Sequence, residues 1–567
     1  GIPYDYIVII DAGSKGSRVF VYHWLNPKYL FDHQISIADF PVLKRDYESE
    51  SDDDDDDTDD DDKDKGKNKD KGNNKDEKKS WISTKPHWHT KIKPGIATFK
   101  DSSKLGSHHL QPLLDAAAKI VPKSQHSRTP IFLHATGGVR SLTPSEQTSL
   151  LADVCKYLTE SAFFLPDCAT HVNAIDGDIE GLYAWLSINQ LMGTFNTKKA
   201  PLGLLDMGGA STQLAFQPNA TEIKEHEKSL LKVQLAALGS SKAEMSYDLY
   251  SSSFMGFGMY QGRGKYLDHL FNATGGVTTD PCLPANVPAH LLAEDTRLML
   301  SNRLAGSGDF TRCMQTIFPV LEKQSEVLSL SCKPDVELSC LLNDLIPALD
   351  FHVEQFIGVS GYWDTIFNLL DKNVMGAYEY DTIFAEATKL CNTPWDQLVK
   401  LNTERKTPLG DEDLSQLCFK SAWVLSFLHS GLGFPRYGID KKAGGYDTFK
   451  VVDKVDDVKF SWTLGRAVLY ASSEASEVYG AQEKTLPSEQ VGFYHQSSKD
   501  RFFYGGEAAG VKRRPAFVAG EKDKEHDDDS WKEKVADHLE DHRGYGALVF
   551  LGLLLLILYL LMGKERR

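Results

Sequence analysis

The chain has 567 residues, 41% hydrophobic and 25% charged, with a formal net charge of −17. That length is more than one compact core holds and implies two domains with accessory segments. The composition is that of a globular protein, and the acidic balance excludes a sequence-independent nucleic-acid binder. The acidity is local. Residues 48–79 carry 16 acidic and 8 basic side chains, and residues 521–543 carry 10 and 5. About −4 remains for everything else.

In chain order, Tyr6-Ile-Val-Ile-Ile10 predicts a buried strand, and Arg18-Val-Phe-Val-Tyr22 a second one. The Asp/Lys/Asn/Gly tract within 48–79 cannot bury apolar surface, so it predicts a disordered insert. It reads as a solvated loop or, less simply, as a weak collector of calcium. Leu110 to Ile120 carries apolar residues at helical spacing, Ile131-Phe-Leu-His-Ala135 reads as a strand, and Asp178 to Met192 as a helix. Leu202-Gly-Leu-Leu205 reads as another strand. The eight cysteines are even in number and include no CxxC pair, which argues against a zinc site and for disulfides. Sequons at Asn219-Ala-Thr221 and Asn272-Ala-Thr274 point the same way, toward a secretory compartment. Residues 476–543 read as a linker and acidic stalk. The uncharged run Tyr545 to Gly563 spans about 28 Å as a helix, enough to cross a hydrocarbon core. The basic tail 564–567 then lies in the cytosol and the body in the lumen.

The most informative feature is a repeat. Ile9-Ile-Asp11-Ala-Gly13-Ser14-Lys-Gly16-Ser17-Arg-Val-Phe20 is matched 195 residues later by Leu204-Leu-Asp206-Met-Gly208-Gly209-Ala-Ser211-Thr212-Gln213-Leu-Ala-Phe216. Each copy runs from a buried strand to an Asp, a glycine-rich turn with hydroxyls, and another strand. Glycines let consecutive backbone N–H groups face a phosphate, and the Asp can hold a metal ion. Two such loops from two domains would clamp a polyphosphate. No GxxxxGK[ST] occurs, so a P-loop is excluded. Gly256-Phe-Gly258 through Gly262 lacks the preceding strand and the spacing of a dinucleotide site. Glu180, taken alone, is either a catalytic base or an acid placed at a helix start.

This plan resembles the actin/hexokinase superfamily, and further segments resemble its GDPase/apyrase family of nucleoside di- and triphosphate hydrolases. Five segments match in order: Asp11-Ala-Gly-Ser-Lys-Gly-Ser-Arg18, Ala135-Thr-Gly-Gly-Val-Arg140, Asp178 to Asn189, Leu205-Asp-Met-Gly-Gly-Ala-Ser-Thr-Gln213, and Ser461-Trp-Thr-Leu-Gly465. The resemblance implies an α/β fold of two actin/hexokinase-like, ribonuclease H-like domains with the site in the cleft between them, and one C-terminal transmembrane helix. Residues 1–176 form the first domain, with 453–475 returning to it, and 177–452 the second.

The same resemblance implies roles. Glu180 is the general base that activates water, and Ser211 and Gln213 orient that water. Ser14, Lys15, Gly16 and Ser17 form the first phosphate loop; Gly208, Gly209 and Ala210 form the second. Asp11 and Asp206 hold a divalent cation through its water shell, Ca²⁺ or Mg²⁺ with Mn²⁺ as a further candidate. Thr136 and Arg140 support the phosphate site, although Arg140 reads equally as a structural ion-pair partner. Tyr362 and Trp363 resemble the segment that sets an aromatic against the nucleobase, with Trp423 another candidate; each reads equally as core. Gly16 stands where many members have histidine. The resemblance further implies bridges Cys391–Cys418 and Cys155–Cys168, and two crossing bridges among Cys282, Cys313, Cys332 and Cys340. The implied activity is metal-dependent removal of the terminal phosphate of nucleoside tri- or diphosphates, in the lumen of the Golgi and on its membrane. It would clear GDP and UDP left by sugar transfer. The other readings are a kinase or ATPase of the same superfamily, and a non-catalytic nucleotide-binding scaffold.

Overall fold

The computed structural model describes residues 4–32, 82–99, 104–196, 200–236, 245–274, 278–292, 304–322, 355–371, 378–436, 449–455, 458–483, 491–498 and 514–517. The acidic insert, the apolar run 545–563, Cys332 and Cys340 lie outside them. Among the described residues no helix is long and apolar enough to cross a membrane.

Two sheets carry the same motif. The first is built from β1 (Tyr4–Gly13), β2 (Gly16–Leu25), β3 (Ile82–Ser83), β4 (His89–Ile92), β5 (Ile131–Ala135) and β6 (Val172–Ala174), in the order β3-β2-β1-β5-β6 with β4 also on β2. The second uses β7 (Gly203–Met207), β8 (Ser211–Phe216), β9 (Leu231–Leu235) and β10 (Met245–Met255). A parallel pair, β11 (Thr278–Asp280) and β12 (Leu304–Gly306), stands apart. The second sheet continues with β13 (Phe356–Ser360) and β14 (Phe449–Val451); β15 (Lys454–Val455) and β16 (Val458–Lys459) form a small ribbon, and β17 (Gly492–His495) closes the edge. Its order is β14-β13-β7-β8-β10-β9-β17. In both sheets a hairpin, β1–β2 or β7–β8, has its first strand parallel to two further strands on one side.

Burial explains the layers. Central strand β1 is apolar on both faces: Ile7 and Ile9 enter one core, Val8 and Ile10 another. The outer core packs against α1 (Gln111–Ile120) and α2 (Pro144–Thr159). The second of these starts on a capping box between Thr143 and Glu146 and buries Leu150, Val154 and Leu158 at helical spacing. The middle core lies between the sheets and holds α3 (Gly177–Met192). That helix is buried on every side from Glu180 to Leu191, because a sheet or another helix covers each face. Gly193, at φ 69°, ends it. The far core lies under α4 (Met259–Thr274), α5 (Phe310–Glu322), α6 (Gly361–Leu370), α7 (Tyr380–Cys391) and α8 (Asp411–Leu425). The last helix, α9 (Thr463–Glu483), returns to pack on β1 and β2 and crosses α3. Gly465 allows that crossing: a Cβ there would lie 1.9 Å from the Tyr183 carbonyl oxygen.

Disulfides join Cys155–Cys168, Cys282–Cys313 and Cys391–Cys418. The crossing pattern expected among Cys282, Cys313, Cys332 and Cys340 is corrected. Cys282, just after β11, lies beside Cys313 of α5 in the far core, so sequential neighbours pair.

The expected linker from residue 476 is also structured in part. It continues α9, adds β17, and places Arg514 in a buried ion network. Arg514 reaches Asp5 Oδ2 at 2.5 Å and also bonds Glu474 of α9, while Arg128 bonds the other oxygen of Asp5 and the Pro515 carbonyl at 3.2 Å. Asp5 is fully buried, and Arg514, Arg128 and Asn26 all bond its carboxylate. Replacing Arg514 with alanine is expected to cost about 1–3 kcal/mol, because Asp5 keeps Arg128 and Asn26 while Asp5 Oδ2 and Glu474 lose a charged hydrogen-bond partner. A denaturant midpoint unchanged by Arg514→Ala would contradict that assignment.

A candidate active site where two hairpins meet

The two hairpin turns touch. In the first, Gly13 pairs with Gly16, which leaves Ser14 and Lys15 at the tip and sets Asp11 opposite Arg18. In the second, β7 ends just after Asp206 and the chain turns through Gly208, Gly209 and Ala210. A Cβ on Gly209 would lie 2.7 Å from Ser14 Oγ. The segment Thr136–Arg140 is wedged between them: a Cβ on Gly138 would lie 2.6 Å from Ser14 Cα, and one on Gly137 2.7 Å from Ala210 Cβ. These glycines therefore serve close approach as well as backbone access. Gly16 has the same explanation, since a Cβ there would meet the Ile92 carbonyl oxygen at 2.4 Å.

The carbonyls of the second turn are tied to the start of α4. Gly208 accepts from the Met259 N–H at 2.8 Å, Gly209 from Tyr260 at 2.9 Å, and Ala210 from Gly256 at 2.9 Å. A turn that cradles an anion must keep its carbonyl oxygens off it, and these bonds do so. Gly258 permits the contact, because a Cβ there would lie 2.5 Å from the backbone nitrogens of Ala210 and Ser211. The 256–258 glycines thus buttress this turn.

Glu180 stands in the first turn of α3, buried. Arg140 donates to its Oε2 at 2.8 Å and to Ser211 Oγ at 3.0 Å. The Gln213 amide nitrogen lies 2.8 Å from Ser211 Oγ, 3.3 Å from Glu180 Oε2 and 3.0 Å from Ser253 Oγ. Burial pushes the Glu180 carboxyl up, and Arg140 opposes that shift. Asp11 and Asp206 are each pushed up to about 7, chiefly by burial. Glu180 adds to both shifts, and Arg18 opposes both. The Trp462 side chain bonds Asp11 and the Ser360 side chain bonds Asp206. Ser360 has φ 55°, an uncommon backbone state for a non-glycine residue at the end of β13.

Three neighbouring carboxylates, Glu180 and Asp206 buried and Asp11 half-buried, are a hard-oxygen donor set that a divalent cation fits. The cluster is not a closed cage. Among the described residues, the trio of ligand atoms lying within 4.8 Å of one another is Glu222, Glu225 and His226 on a surface helix, not this group. A cation at Asp11 and Asp206 would draw its remaining ligands from water and phosphate oxygens.

The structure thus brings together Asp11, Ser14, Thr136, Arg140, Glu180, Asp206, Gly208, Gly209, Ala210, Ser211 and Gln213. Lys15 lies at the rim, 4.1 Å from the Tyr260 ring centroid. Ser17 is corrected. It lies on the opposite sheet face from Asp11, and its hydroxyl meets buried His109 Nε2 at 2.7 Å. Tyr362 and Trp423 are fully buried and present no face to a base. Trp363 stacks on Phe367 at 4.6 Å. Sequence reasoning missed Arg18, Ser253, Tyr260, Ser360 and Trp462. The two-residue turn pairs Asp11 with Arg18, so Arg18 was readable; Trp462 and Ser360 lie in or beside segments already singled out, while Ser253 and Tyr260 arrive from distant segments with no local signal.

A family profile described as the GDA1/CD39 (nucleoside phosphatase) family matches residues 63–488. The match begins after the first turn, whose part in the site rests on its geometry. The chain is 31% identical to a Golgi apyrase of Saccharomyces cerevisiae over 496 residues, covering 82% of this chain and 70% of that protein. It is 31% identical to a Golgi apyrase of Schizosaccharomyces pombe over 489 residues, covering 83% and 76%. A crystal structure of nucleoside triphosphate hydrolases from Neospora caninum aligns over 84% of this chain and 94% of that one, at 14% identity and TM-score 0.46.

Gly258→Ala should displace the second turn by a few tenths of an ångström or more and cut phosphate release from nucleotides roughly tenfold to a hundredfold. Gly264→Ala is the control, because nothing lies within 4 Å of the added Cβ. Equal activity of the two variants would remove the buttress role.

Proposed function

The chain belongs to the GDA1/CD39 family and is a nucleotide phosphohydrolase, and on that premise we propose that it removes the terminal phosphate of nucleoside di- and triphosphates with Glu180 as general base. The observation that carries this reading is the hydrogen-bonded cluster of Glu180, Arg140, Ser211 and Gln213 beside two touching turns. Both recorded bonds to Glu180 engage Oε2. Oε1 is then the oxygen that takes a proton from water. Burial keeps this carboxyl more basic than usual, which suits a base working near neutral pH. Ser211 and Gln213 set the water's direction, so that it meets phosphorus in line with the departing oxygen. The P–O bond to that oxygen breaks, giving orthophosphate and the shortened nucleotide. Backbone N–H groups of the turns, with Ser14 and Lys15, hold the phosphate oxygens. Asp11 and Asp206 would hold a divalent cation, Ca²⁺ or Mg²⁺, whose chemistry is to offset charge on those oxygens.

We assign residues 1–176 with 453–475 to one lobe and 177–452 to the other, with the site where they meet. The names of the two fungal relatives support a place in the Golgi, where the substrates would include GDP and UDP. The apolar run 545–563 is the proposed membrane anchor, with the body lumenal.

Glu180→Gln should lower phosphate release by about a hundredfold to ten-thousandfold while nucleotide binding persists. Turnover at the wild-type rate would end the base assignment.

Asp11 and Asp206 predict a linked effect of pH and cation. Each folded-state pKa, about 7, lies above the ordinary 3.8. In cation-free protein their contribution to stability is full below the lower value and is lost as pH rises through the upper one. Ca²⁺ or Mg²⁺ should therefore raise the thermal midpoint strongly at pH 8 and little at pH 5. An equal gain at both pH values would contradict the assignment of these aspartates to a cation.

A further inference from the structure

β10 runs beside β8 with Ser253 directly opposite Gln213 and Ser251 opposite Ala215. Opposed residues of paired strands share a sheet face, here the face under α3. The helix rests on these serines through two glycines. A Cβ on Gly177 would lie 2.2 Å from Ser253 Cβ, and one on Gly181 2.4 Å from Ser251 Oγ. Ser251 also donates to the Asp178 carbonyl at 2.6 Å. The turn of α3 that carries Glu180 is therefore seated on the strand next to Gln213.

The Gln213 amide can point two ways. A carboxylate only accepts hydrogen bonds, so Glu180 requires the amide nitrogen on its side. That nitrogen has two hydrogens and three neighbouring acceptors: Ser211 Oγ at 2.8 Å, Ser253 Oγ at 3.0 Å and Glu180 Oε2 at 3.3 Å. Ser211 already accepts from Arg140. Ser211 Oγ can accept a second bond and takes one amide hydrogen, and Ser253 Oγ, nearer than Glu180 Oε2, takes the larger share of the other.

We propose that Ser253 is a positioning residue for hydrolysis, whose hydroxyl fixes the Gln213 amide so that its carbonyl oxygen faces the attacking water. The inference rests on the reading of Gln213 as a water-orienting group. Ser253 is bonded to Gln213 rather than to Glu180. It acts through Gln213, and the glycine at 177 brings it close enough to do so.

The test is a double-mutant cycle on the full-length enzyme, with GDP as substrate and phosphate release as readout. Ser253→Ala keeps the Cβ on which Gly177 rests and removes the hydroxyl alone. It should lower kcat about tenfold and leave KM within about twofold. In a Gln213→Ala background, where kcat is already reduced, adding Ser253→Ala should change kcat no further. The same tenfold loss in both backgrounds would overturn the inference, since Ser253 would then act independently of Gln213. A wild-type kcat for Ser253→Ala beside an impaired Gln213→Ala would overturn it while leaving the role of Gln213 standing. A wild-type kcat for Gln213→Ala would overturn the reading of Gln213 itself, and the inference with it.

Discussion

Three carboxylates brought to one point, Asp206 and Glu180 buried and Asp11 half-buried, set the terms for the rest of the molecule. Asp11, Asp206 and Glu180 come from three separate elements, and each carries a raised pKa caused first by burial. Like charges so placed do not ionise together without compensation. Arg18 and Arg140 supply part of it from the protein. A phosphate chain cannot supply the rest, since it adds negative charge of its own. In the proposed reading the rest comes from a cation that substrate and protein share.

Such a cluster needs walls that bring backbone close without side chains. Gly137, Gly138, Gly209 and Gly258 supply them, each at a distance that a Cβ would forbid. The layered fold then keeps the cluster in register. α3 is enclosed between two sheets and crosses α9 through Gly465, so Glu180 cannot drift from Asp11, which is itself bonded by Trp462 at the start of α9. The short fifth segment, Ser461 to Gly465, thus has a structural meaning: Trp462 meets the Asp11 carboxylate and Gly465 admits the helix crossing.

Much of this was readable from sequence because the signals are local. The apolar run Tyr6–Ile10 predicts a buried strand, and β1 is one, with Ile7 to Ile10 buried on both faces. The Asp-to-glycine repeat predicts two matched hairpins, and both sheets are built around them. What escaped depends on strand and helix pairing over long separations. Ser253 looks like one serine in a polar run until β10 pairs with β8. Trp462 lies some 450 residues from Asp11 in sequence. Ser17 failed for a simpler reason, the alternation of a strand: Asp11 and its partner Arg18 share one face, which puts Ser17 on the other. The aromatics Tyr362 and Trp423 were ambiguous by composition, and burial resolves both as core.

In the proposed site, two hairpin turns and the two aspartates feeding them enclose a terminal phosphate and its cation. A crystal structure with Ca²⁺ and a slowly hydrolysed nucleoside triphosphate analogue tests it most directly. The terminal phosphate is expected between turns 13–16 and 208–210, the cation between Asp11 and Asp206, and a water hydrogen-bonded to Glu180 in line with the scissile bond. A terminal phosphate bound outside both turns, or a cation bound without either aspartate, would contradict it.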